Sequence, residues 1–131
     1  MPDVNWWAVV AAAISAFVLG GIWYGPLFRN TWSREAGIAI DANARHPAVV
    51  FGGAFVLSLV AAWALAAIIG RSEPSLLFAV HVGFLVGLCF VATSFGINYL
   101  FAGRSLKLWL IDAGYHVLQF TLYGLVIGLW P

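Results

Sequence analysis

Four long apolar runs leave this chain few folds to choose from. They extend from Trp6 to Tyr24, Ala48 to Ile69, Leu76 to Phe101 and Leu108 to Trp130. Each approaches or exceeds the roughly 20 residues that carry a helix across the hydrocarbon of a bilayer. Of 131 residues only 8% are charged, while 63% are apolar and 16% aromatic, and the mean hydropathy is +0.98. A soluble domain has about a quarter of its residues charged, so these few charges could not cover a globule in water. The fold class is therefore all-α: a four-transmembrane-helix bundle, one integral membrane domain over 1–131. The run beginning at Trp6 follows Met-Pro-Asp-Val-Asn, which holds no Lys or Arg, and no cleavage site follows its apolar core. That predicts a retained span, not a signal peptide. A net charge of +1 gives no footprint for nucleic acid, and Cys89, the single cysteine, can form no intrachain disulfide.

The linkers orient the bundle. "GPLFRNTWSREAGIAIDANARHP" contains Arg29, Arg34 and Arg45, and "AGRSLK" contains Arg104 and Lys107, whereas "GRSEPS" contributes only Arg71. Basic loops stay in the cytoplasm. The expected location is the plasma (inner) membrane, with both termini outside and loops 25–47 and 102–107 cytoplasmic. Trp6, Trp7 and Trp130 then belong to the outer aromatic belt, and Trp23, Tyr24, Trp32, Tyr99 and Trp109 to the inner one. Within the long linker, Asn30 is expected to cap a short interfacial helix, "TWSREA", ended by Gly37. The two short linkers predict that the second and third spans, and the third and fourth, are antiparallel neighbours.

Small residues let membrane helices approach closely. Ala8, Ala12, Ala16 and Gly20 form one row and Ala54, Ser58, Ala62 and Ala66 another. Gly83 and Gly87 mark the third span, Gly124 and Gly128 the fourth. Rows left over after the bundle closes would serve a homo-oligomer. "GIWYGPLF" and "GINYLF" end the first and third spans, each followed by an arginine and a tryptophan. This faint likeness suggests two weakly similar helical hairpins in a parallel repeat.

The stretches "GGIWYGPLF", "NYLFAGRSLKLWLIDAGYH" and "GLVIGLW" resemble a bacterial family of small four-helix integral membrane proteins of unknown function. The resemblance covers nearly the whole chain and is most specific from Asn98 to His116. It implies the four-span fold and marks Trp23, Tyr24, Gly25, Pro26, Asn98, Asp112 and His116. It implies no activity.

Asp112, His116, Gln119 and Tyr123 recur at i, i+4, i+7 and i+11. At about 100° per residue they share one face of the last span. A charge at the bilayer centre costs about 2.5–3.5 kcal/mol even on the mild insertion scale, so this stripe has to meet protein or water. On the third span Gly83, Gly87, Ser94 and Asn98 share a face, which brings Ser94 and Asn98 to the stripe. Tyr24 can supply a hydroxyl from the end of the first span.

Several chemistries fit such residues. Ser94, His116 and Asp112 are the residue types of a hydrolase triad, but nothing marks Ser94 as a nucleophile. A haem between His81 and His116 is disfavoured by their different depths. Asp112 and His116 together make at most two metal ligands. No catalytic residue, metal or cofactor is assigned, and an enzyme is the third-ranked reading. The first is passage of a small solute, ion or proton through the polar cluster on the cytoplasmic half. The alternative is a structural or regulatory membrane protein that binds a partner, with the cluster only fixing helix packing. Beyond the lipid bilayer and a second copy, no protein partner or solute can be named.

The orientation has a direct test. In a chain lacking Cys89, a membrane-impermeant thiol reagent applied from outside should label a cysteine placed at Glu73 and miss one placed at Arg34. The reverse pattern would move the Asp112 cluster to the outer half.

Overall fold

A computed structural model describes residues 3–37, 46–70 and 75–131. Arg45, Arg71 and Glu73 lie outside the described residues. Helix α1 (Trp6–Ile22) runs through a π-helical turn (Trp23–Leu27) into the short α2 (Arg29–Ala36). Helix α3 (Pro47–Ile69) follows. Helices α4 (Leu76–Val86) and α5 (Thr93–Ala102) are joined by a π-helical segment (Gly87–Ala92), and α6 (Leu106–Leu129) ends the bundle. Four continuous helical stretches are long and apolar enough to cross a membrane: Trp6–Leu27, Pro47–Ile69, Leu76–Ala102 and Leu106–Leu129. The protein is an all-α integral membrane bundle.

Local chemistry sets the helix ends. Ser75 Oγ accepts from the Phe78 N–H at 3.0 Å and Ser105 Oγ from the Leu108 N–H at 3.1 Å, so α4 and α6 each begin on a serine cap. Asn5 serves two helices. Its Oδ1 accepts from the N–H groups of Trp7 and Ala8, and its Nδ2 donates to the carbonyls of Trp130 (3.1 Å) and Pro131 (3.3 Å). The first and last helices thus close on each other at one face of the bundle. Gly37 ends α2 in the left-handed region, at φ 70°, as expected. Its start differs: α2 begins at Arg29, and Asn30 lies inside it. The Phe28 N–H bonds the Trp23 carbonyl five residues back at 3.0 Å, and the Trp32 N–H bonds the Phe28 carbonyl at 2.8 Å. Helical hydrogen bonding therefore continues across the bend, and no side-chain cap is needed. Pro26, with no N–H to donate, sits in the π turn where the chain changes direction.

Helix α6 is the axis of the bundle, packing on α4, α1, α3 and α2. The alanine row of α1 is used as expected: Ala8, Ala12 and Ala16 are buried, and Ala12 and Ala16 share a core with Ala62 and Ala66 of α3. Spans three and four are close neighbours. Spans two and three, α3 and α4, touch only lightly, because the buried small face of α3 (Ser58, Ala62, Ala66) is engaged with the core around α1 and α6.

The α4–α6 seam is the tightest. A Cβ on Gly83 would overlap the Phe120 carbonyl oxygen, and one on Gly124 would overlap the Ala79 carbonyl oxygen. One on Gly87 would lie 2.9 Å from the Val117 Cα. Backbone meets backbone here, and neither side has a flexible group that can yield. By contrast, Gly52 and Gly53 of α3 face open space. Gly83→Ala or Gly124→Ala should therefore destabilise the fold by about 1–3 kcal/mol, the usual cost of overpacking, read as a lowered Tm in detergent. Gly52→Ala should leave Tm unchanged or slightly raised. Equal effects at both positions would contradict the seam.

Candidate functional site

Asp112 lies about 9 Å along α6 from its first residue and is only 7% exposed. Three aromatic side chains donate to its carboxyl group. Oδ1 accepts from the Tyr24 hydroxyl at 2.6 Å and from Trp32 Nε1 at 3.1 Å, and Oδ2 accepts from the Tyr99 hydroxyl. The donors come from three elements: the π turn after α1, the short α2 and the end of α5. Indole N–H can only donate, and a carboxylate is an acceptor with no proton to place. The donor set therefore matches the ligand it surrounds. Beside it, Trp23 Nε1 donates to the Ile111 carbonyl at 2.8 Å.

A second chain of contacts runs deeper along α6. His116 Nδ1 donates to Gln119 Oε1 (2.5 Å), Gln119 Nε2 donates to the Tyr123 hydroxyl (2.6 Å), and that hydroxyl meets Ser58 Oγ of α3 at 2.5 Å. Tyr123 is fully buried. The face predicted at i, i+4, i+7 and i+11 is thus a working surface, split into two networks. Asp112 belongs to the aromatic knot, and His116 opens a relay directed toward α3.

Tyr24 joins Asp112 as expected, and Trp23, Gly25 and Pro26 form the π turn that carries it. Two expected members stay outside. Ser94 donates to the Phe90 carbonyl one turn back at 2.7 Å, and both Ser94 and Asn98 lie on the exposed side of α5. The cause is the π-helical segment Gly87–Ala92. A regular helix that presents Gly83 and Gly87 to α6 would also present Ser94 and Asn98. A π bulge adds one residue to the turn, which moves the face on by one. Phe95 then stacks on His116 (centroids 4.8 Å, planes 19° apart), and Tyr99 reaches Asp112. The bulge has its own support: Trp109 Nε1 donates to the Ala92 carbonyl at 3.0 Å.

Tyr99, Trp32 and Ser58 were missed as polar partners. The first two were assigned to the inner aromatic belt, yet all five residues of that belt (Trp23, Tyr24, Trp32, Tyr99 and Trp109) send a hydrogen bond into the protein. A signal was present. In the faint repeat, Gly21-Ile22-Trp23-Tyr24 aligns with Gly96-Ile97-Asn98-Tyr99, and its two tyrosines donate one to each carboxylate oxygen of Asp112. His81 donates from Nδ1 to the Leu77 carbonyl at 2.8 Å.

Two further bonds tie α2 to the loop before α6. Arg104 donates to the Ala36 carbonyl at 2.8 Å, and Ser105 Oγ donates to Glu35 Oε1 at 2.9 Å. With Trp32 held by Asp112, α2 is fixed at its middle and at its end.

Among known proteins, the family model described as "Protein of unknown function (DUF1761)" matches residues 7–128. No curated protein and no solved structure matches the chain.

Asp112→Ala would leave an indole N–H and two hydroxyls without their acceptor, at about 1–3 kcal/mol for each that stays buried. Tm should fall by many degrees, and trypsin should cut at Arg29 and Arg34 faster. Asp112→Asn keeps an acceptor for Trp32 and Tyr24, and the Tyr99 hydroxyl can turn to accept from the amide. It should cost less than half as much. Equal losses for the two variants would show that the donor network is not what Asp112 contributes.

Proposed function

The chain belongs to the DUF1761 family of proteins of unknown function, and we propose that its role is structural or regulatory. In this reading Asp112 clamps a basic interfacial helix against the bundle, and the fixed face so made is what a partner recognises. The observation that carries it is that one carboxylate binds Tyr24, Trp32 and Tyr99 from three separate elements. A group used for passage needs a free side from which ions arrive and depart. Both oxygens of this carboxylate are engaged, and the residue is buried. On the count of basic residues, the face bearing α2 is the cytoplasmic one, in a bacterial plasma membrane.

One observation favours the other reading, passage of a proton or ion. His116, Gln119, Tyr123 and Ser58 form an unbroken series of hydrogen bonds from α6 to α3. The glutamine weakens it as a proton wire. A carboxamide accepts at oxygen and donates at nitrogen, so passing a proton through it leaves an imidic acid tautomer that must revert before the next transfer.

Proteoliposomes loaded with a pH-sensitive dye separate the two readings. Under an imposed proton or potassium gradient, vesicles containing the protein should leak no faster than empty ones, and His116→Gln should change nothing. A flux that disappears in His116→Gln would instead establish the relay as a conducting path.

A further inference from the structure

Between α2 and the first two turns of α6 lies an open groove of about 520 Å³. It is lined by Thr31 and Arg34 of α2, Lys107, Leu110, Ile111 and Gly114 of α6, and Trp23 and Phe28 of the connecting turn. Its two ends differ in chemistry. Arg34 and Lys107 stand at the mouth, both exposed, and among the described residues neither has an anionic partner. Thr31 adds a hydroxyl beside them. From Lys107 the groove follows α6 inward for roughly 10 Å, two helical turns, to Gly114. There the walls are Leu110, Ile111 and the indole of Trp23.

The apolar wall is a built feature. Trp23 is held by its bond to the Ile111 carbonyl and by Phe28, whose ring centroid lies 4.8 Å away. Gly114 keeps the floor low, since a Cβ there would come within 3.1 Å of the Trp23 ring. The depth axis of the groove runs along a membrane-crossing helix, with its cationic mouth at the helix end and its apolar floor toward the bilayer interior.

We propose that this groove binds one anionic phospholipid, its phosphate between Arg34, Lys107 and Thr31 and the start of an acyl chain against Trp23, Leu110 and Gly114. Charge complementarity selects the headgroup: two cations with no counter-ion among the described residues suit a lipid with net negative charge over a zwitterionic one. The match of a charged end to an apolar end along the membrane normal selects a lipid over a soluble anion. This goes beyond the clamp reading and does not depend on whether the Asp112 knot is structural or conducting.

The test uses the full-length chain, stripped of lipid in a non-ionic detergent and titrated with phosphatidylglycerol, phosphatidylcholine or inorganic phosphate, with bound lipid counted by native mass spectrometry. Phosphatidylglycerol should bind in preference to phosphatidylcholine. At about fivefold per interfacial cation, Arg34→Gln and Lys107→Gln should each reduce that preference about fivefold, and together about 25-fold. Both side chains are exposed, so Tm should hold. Lys107→Arg keeps the charge and should keep the preference, which separates loss of the site from loss of the fold. A double variant with undiminished preference would overturn the proposal. So would displacement of the lipid by millimolar inorganic phosphate, which would assign the groove to a soluble phosphoanion.

Discussion

An acidic side chain within a membrane-crossing helix has to be solvated by the protein itself, and Asp112 is where this bundle meets that demand. Water would supply several donors to a carboxylate. Here Tyr24, Trp32 and Tyr99 supply three, and two of them are positioned by a departure from simple helix geometry. Tyr24 rides on a π turn containing Pro26, Trp32 on a short helix entered without a break in hydrogen bonding, and Tyr99 beyond a π bulge. Deviations of this kind cost backbone regularity, and a fold keeps them only where surrounding contacts over-determine them. Tertiary interactions provide that support: Trp23 bonds the Ile111 carbonyl, and Trp109 takes up the Ala92 carbonyl at the end of the bulge.

The glycine seam is the other half of the same construction. Gly83, Gly87 and Gly124 bring α4 and α6 together until backbone meets backbone. Apolar side chains gain little by meeting one another when the alternative is lipid, so close approach and dispersion have to hold such helices together. On α6 the seam runs from Val117 to Gly124, and the Asp112 knot lies nearer the start of that helix. Alongside the seam runs the relay from His116 to Ser58, which adds α3. Three kinds of contact are thus made by a single helix.

Much of the fold was legible because apolar length and small-residue spacing are direct consequences of bilayer thickness and close packing. The alanines of α1, the glycines of α4 and α6 and the polar stripe of α6 follow from periodicity, and the Gly37 stop from glycine's tolerance of the left-handed region. The site was legible on one of its two sides. Asp112, His116 and Gln119 sit on a regular helix, so an ideal helical angle found their face. Ser94 and Asn98 sit beyond a π bulge, so the same angle pointed one residue short of Phe95 and Tyr99. No residue type announces such a bulge. Its stabilising bond comes from Trp109, on another helix. The belt aromatics posed a related difficulty, since an indole or phenol at the interface is equally suited to face lipid headgroups or a buried acceptor.

Asn5 gives the bundle a property that the helix order alone would not. By holding the start of α1 and the carbonyls of Trp130 and Pro131 at once, one side chain brings the two ends of the described fold into hydrogen-bonding range. Any extension attached at either end therefore departs from the same face, opposite the loop that carries Arg104 and the helix that carries Trp32. Reporters fused to the two ends would sample one compartment and sit close enough together for energy transfer between them. The face bearing α2 would be left unobstructed.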